Sequence, residues 1–189
     1  MKNISKRFYL SSIIICNLLY FFCIGLGVYY GLIGHPENIS IIIFSSIVFI
    51  IIAFIIEIDM WGRAWGYIQD DHPRTTPGRA IGFLFIPFYN IYWIFQVIKG
   101  FAEDYNKYIT EKGFASKIGL LPKGSFSSLC IIRIITIFLS RTIFGLLLFF
   151  IEFIILLIVV SKVCDAINDL GWVKGLEDYV ESQQKGGGR

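Results

Sequence analysis

From Ile39 to Ile56 the chain reads ISIIIFSSIVFIIIAFII, with no charged residue. A run of this length and hydropathy is long enough to cross a bilayer as a helix. Isoleucine is a poor helix former in water. In hydrocarbon, however, every backbone group must bond within the segment, and a helix does that. Charged residues make up 16% of the chain and hydrophobic ones 56%, with a mean hydropathy of +0.68. A soluble domain would carry about a quarter charged residues. These values predict an all-α, polytopic helical membrane protein folded as one domain over 1–189.

Further apolar runs extend this pattern. The first, about 8–32, follows a basic head of Lys2, Lys6 and Arg7. It is too long for a signal peptide and lacks a clean small-residue cleavage site. Gly27 and Gly31 give it a small face on which another helix can pack closely, although such glycines are common in membrane helices anyway. The second span, about 39–60, ends near Glu57 and Asp59, which are expected to be solvated, and its helix continues as MWGRAWGYI. Trp61 and Trp65 fall on one face, the spacing of an interfacial aromatic belt. The run from Phe126 to Val160 is too long for one span and suits a hairpin turning near Arg141, with spans at about 124–139 and 143–161. Amphipathic helices are expected at about 99–112 and 162–184. In the latter, Val163, Ile167 and Leu170 share a face. Gly186 to Arg189 are expected to be disordered.

The stretch TTPGRAIGFLFIPFYNIYWIFQVIKGFAEDYN, Thr75 to Asn106, is different. Thr75 or Thr76 is placed to cap a helix with Pro77 in its first position. The apolar part, about 78–98, is barely long enough to span, and Pro87 removes a hydrogen bond from its middle. If it crosses, giving five spans, Lys99, Lys107, Lys112, Lys117 and Lys123 face outward. If it dips in and returns, giving four, they face the cytoplasm with both termini and only Arg141 lies outside. The positive-inside rule prefers four spans plus a Pro-broken re-entrant or interfacial segment. Phe85, Phe88, Tyr89, Tyr92, Trp93 and Phe95 would then anchor the segment at the interface or line a groove.

RAWGYIQD, the Thr75–Asn106 stretch and the later VVSKVCDAIND together resemble a family of small uncharacterised bacterial integral membrane proteins. Its central motif reads approximately TTPGKAVGFLFIPFFNxYWIF, followed by GxAxDxN. This chain has Arg79 where lysine is common, Ile81 for valine and Tyr89 for phenylalanine. The resemblance implies a bacterial inner-membrane protein and carries no activity. It marks Arg79, Pro87, Tyr89, Asn90, Tyr92, Trp93, Asp104 and Asn106 as the candidate motif or interface residues.

Arg133 and Glu152 are charged residues inside apolar runs. A charge at mid-membrane costs about 2.5–3.5 kcal/mol on insertion scales and calls for a partner or a wet cavity. In the expected hairpin they lie ~11 Å and ~16 Å below the turn, within side-chain reach of each other. A structural ion pair, a transport or proton-relay role, and an intersubunit contact are the alternatives.

Cys16, Cys23, Cys130 and Cys164 form no CxxC pair and read as apolar fillers. His35 and His72 lie in loops without ligand spacing, and Asp70, Asp71 and His72 read as a turn, so no metal site is expected. No nucleophile, zincin or phosphate-loop pattern occurs, and no cofactor or nucleic-acid partner is indicated. The expectation is a non-catalytic accessory or scaffold subunit that contacts lipid and associates with itself or with other membrane proteins. The alternatives are a small transporter or channel whose path is lined by the broken segment, and, with less support, an enzyme acting on lipid.

Overall fold

A computed structural model describes residues 4–34, 38–69, 74–140 and 142–186. Among these the regular structure is entirely helical. His35, Asp70, Asp71, His72 and Arg141 lie outside the described residues. Among the described residues three helices are long and apolar enough to cross a membrane: Lys6–Leu32, Ile39–Tyr67 and Phe144–Val180. The chain forms two compact units, Arg7–Met60 and the remainder.

In the Arg7–Met60 unit, α1 (Lys6–Leu32) and α2 (Ile39–Tyr67) contribute an antiparallel pair joined by a short connection. The glycine face of α1 lies against α2. A Cβ on Gly27 would sit 3.6 Å from Ile42, and one on Gly31 3.8 Å from Ile39, so this face is already used inside the unit. At the other end the Tyr9 hydroxyl donates to the Asp59 carboxylate. Glu57, expected to be solvated, is buried. Helical position sets where a side chain points, and here Glu57 points inward while Asp59 stays exposed.

The other unit joins the chain up to Lys6 with everything from Trp61, near the end of α2, onward. Trp61 and Trp65 do not form an interfacial belt, because each is only 1% exposed. The face they share packs edge-on against Phe101 of α5 (Gly100–Glu111), with ring centroids 5.7 and 5.8 Å apart. Edge-to-face pairs add about 0.5–1.5 kcal/mol beyond the burial itself. Phe126 of α6 (Lys123–Leu139) joins this cluster. Val163, Ile167 and Leu170 complete the core from α7 (Ile143–Gly186).

The expected change from span to amphipathic helix near 161 is not a break. α7 is one helix of 44 residues, with Gly186 as its last residue. Its ladder has no reason to stop, since no glycine or proline occurs between Leu146 and Leu170. α6, at 17 residues, is the short partner in the α6–α7 hairpin. The turn between them is tight, and a Cβ on Gly145 would collide with the Leu139 carbonyl. Glycine is required here for close backbone approach.

Candidate functional site

The segment after α2 folds back on itself. Thr76 caps α3 (Pro77–Gly82), accepting from the Arg79 N–H at 3.3 Å, and Pro77 opens the helix. A 3-10 turn, Phe83–Phe85, carries the chain to Pro87. There the helix ends. Phe88 takes φ 62° and ψ −39°, and the Tyr89 N–H reaches the Pro87 carbonyl at 2.7 Å. This is a γ-turn of the rare, strained kind. The chain then reverses into α4 (Tyr89–Ile94), a π turn (Phe95–Lys99) and α5.

Local bonds hold the reversal. Ile86 N–H donates to Phe83 at 3.4 Å, and Asn90 N–H to Ile86 at 3.0 Å. Trp93 Nε1 reaches back to the Ala80 carbonyl at 2.9 Å, joining the two limbs. Phe83 meets Trp93 edge-on at 4.8 Å, and Tyr89 stacks on Trp93 at 5.5 Å. Phe85, Ile86, Phe88, Tyr89 and Tyr92 face outward, Phe88 with 88% of its surface exposed. Arg79 is exposed on α3, Pro87 is exposed at the turn, and Asn90 is half-buried beyond it.

The base of this hairpin is polar. Arg74 precedes the first limb and pairs with Asp104 at 2.9 Å and Glu103 at 3.2 Å, both beyond the second limb. Its guanidinium crosses Gly100, where a Cβ would come within 2.8 Å of it. Gln69 bridges the Trp65 and Thr75 carbonyls. Wider spacing in the π turn lets its carbonyls take outside partners. Trp65 Nε1 donates to Val97 at 3.2 Å, and just before the turn the Cys130 thiol contacts Ile94 O at 3.8 Å.

Asn106 holds the next connection. Its amide donates to the Leu121 carbonyl at 2.9 Å and accepts from the Leu121 N–H at 2.7 Å. Asn168 on α7 makes the same two-way bond with Ile4, at 3.0 and 2.9 Å. Lys6 pairs with Asp165 one turn earlier, at 2.7 Å. Asn168 and Arg74 were not singled out from the sequence. The available signal is an asparagine at or next to the end of both resembling motifs, in DYN and IND.

Tyr105 is buried beneath these bonds and donates to the Ala166 carbonyl at 3.2 Å. Burial, reinforced by the nearby Asp169 charge, pushes its phenol well above the usual range. Lys174 lies over the Tyr108 ring and donates to the Tyr67 carbonyl at 2.8 Å, capping the end of α2.

Arg133 and Glu152 meet away from the hairpin. Arg133 Nε donates to Glu152 Oε1 at 2.7 Å, across α6 and α7. Their side chains are 15% and 11% exposed. Among the described residues no three metal-ligating side chains gather. Every buried side-chain nitrogen and oxygen there has a hydrogen-bond partner.

No family model, curated protein or solved structure matches this chain. Its described residues make it a helical protein, with three helices among them long and apolar enough to cross a membrane.

Proposed function

We propose that this is a bacterial inner-membrane protein of four spans that acts as a non-catalytic accessory or scaffold subunit. α6 is the fourth crossing helix, and the Pro77–Lys99 hairpin enters the bilayer and returns on the same side. Both termini and the lysines from Lys99 to Lys123 are then cytoplasmic. The charge distribution supports this orientation. Of the 17 lysines and arginines, all but Arg133 and Arg141 fall on the cytoplasmic side.

One observation carries the scaffold reading: three polar side chains of the motif are spent holding the fold. Trp93 binds Ala80, Asp104 binds Arg74 and Asn106 binds Leu121. Arg133 and Glu152 likewise neutralise each other. A transporter would need such groups to face a path. What remains outward is apolar surface suited to lipid or to neighbouring helices, together with a basic cytoplasmic face.

The test is purification of the full chain in mild detergent. A stoichiometric membrane partner or a defined self-assembly is the expected result. A lone monomer that conducts solute when reconstituted overturns the scaffold reading. Lys117→Cys tests orientation: an impermeant thiol reagent added to intact cells should not label it, and efficient labelling would restore five spans.

A further inference from the structure

We infer that the Pro77–Lys99 hairpin is a wedge seated among the acyl chains of the cytoplasmic leaflet, and that it couples the protein to membrane curvature. The inference rests on the re-entrant reading above and adds what the segment does to the bilayer.

Depth is the first argument. The Cys130 sulfur contacts the Ile94 carbonyl. Cys130 is about 10 Å along α6 from Lys123, and Phe88 is about 9 Å beyond Ile94, at 1.5 Å per residue. The tip therefore reaches about 20 Å from the start of α6. A bilayer with its interfaces is about 40–45 Å thick, so the tip stops near the middle.

The second argument is chemical. Hydrocarbon admits a broken helix only where the freed backbone groups find partners. At this turn the N–H groups of Ile86, Tyr89 and Asn90 all bond within the turn itself. The surface is also graded along its length. Arg74, Glu103 and Asp104 form ion pairs at the base, while Phe85, Ile86, Phe88 and Tyr92 are exposed toward the tip. Holding a phenylalanine at positive φ costs of order 1–3 kcal/mol. Burying that ring in acyl chains offsets such strain, whereas exposing it to water does not.

The third argument is area. Crossing helices displace lipid in both leaflets. A segment that stops halfway displaces it in one, which favours bending that expands that leaflet.

The full chain, carrying a C-terminal epitope, is reconstituted into small sonicated and large extruded vesicles of phosphatidylethanolamine and phosphatidylglycerol. Protease removal of the epitope reports the fraction with the cytoplasmic side outward. Small vesicles should enrich that orientation several-fold over large ones. A Phe85→Ser, Phe88→Gly double variant should lose the size dependence. Glycine tolerates the Phe88 backbone angle, so the turn is kept, and a thermal melt confirms the fold. Unchanged size dependence in the variant overturns the wedge. Depth is read separately from a nitroxide on Phe85→Cys, the four native cysteines being buried. A label accessible to a water-soluble nickel chelate refutes re-entry and the wedge together. A label at acyl-chain depth without size-dependent orientation refutes the wedge alone.

Discussion

Arg133 Nε lies 2.7 Å from Glu152 Oε1, so the two charges inside the α6–α7 hairpin neutralise each other. Both side chains are largely buried, which makes the pair unlike a surface salt bridge. Its value lies less in attraction than in the cost of leaving either charge alone.

Arg133→Met and Glu152→Gln should therefore each destabilise the protein by about 3–5 kcal/mol. The double variant should lose less than the two single losses combined. Thermal unfolding in detergent of all four proteins gives the coupling, and strictly additive losses would show that the pair contributes nothing as a pair.

Two glycines on α7 should respond oppositely to alanine. At Gly145 the new methyl meets the Leu139 backbone, which cannot yield without opening the hairpin turn. At Gly175 a Cβ meets nothing within 4 Å. Gly145→Ala should lower the unfolding temperature. Gly175→Ala should hold or raise it, since alanine contributes up to about 1 kcal/mol more helix propensity than glycine. Similar melts for the two variants would contradict the close approach.

Asn106→Ala removes both bonds to Leu121, each with a net value of about 0.5–1.5 kcal/mol. The Leu121 N–H should then exchange with solvent much faster, as read by hydrogen–deuterium exchange over the α5–α6 connection. Asn106→Asp keeps the acceptor and should protect that amide partly. Unaltered exchange in the alanine variant would mean the connection is held by something else.

Tyr105 predicts a loss of stability at alkaline pH. Its folded-state pKa is raised by burial and by Asp169. Below the unfolded phenol value of about 10, both states are protonated and pH has no effect through this group. Above it the unfolded state loses its proton first, so stability falls as pH rises toward the folded value. Tyr105→Phe should be less stable at neutral pH, having lost the bond to Ala166, yet should decline less steeply above pH ~10. Melting curves taken across that range decide it.

The helical class, a threonine-capped helix opening at Pro77, and the break at Pro87 are legible in the residues alone, whereas the choice of Thr76 over Thr75 as the cap is not. The legible features follow from local chemistry: hydropathy, side-chain capping and the missing N–H of proline. The sequence also isolates Arg133 and Glu152, because charge within an apolar run is visible without coordinates. What each helical face meets depends on long-range packing. The spacing of Trp61 and Trp65 suits an interface belt as well as a buried cluster, and Phe101 of α5 makes it the cluster. Gly27 and Gly31 offer a small face to any helix, and α2 is the one that packs there. The resembling motif marks Asn106 without showing its role, and Asn168 looks like an ordinary polar residue, until Leu121 and Ile4 arrive from 15 and 164 residues away. Hydrogen bonds and packing act between surfaces brought together by the whole chain, and residue order along one helix does not specify its partner.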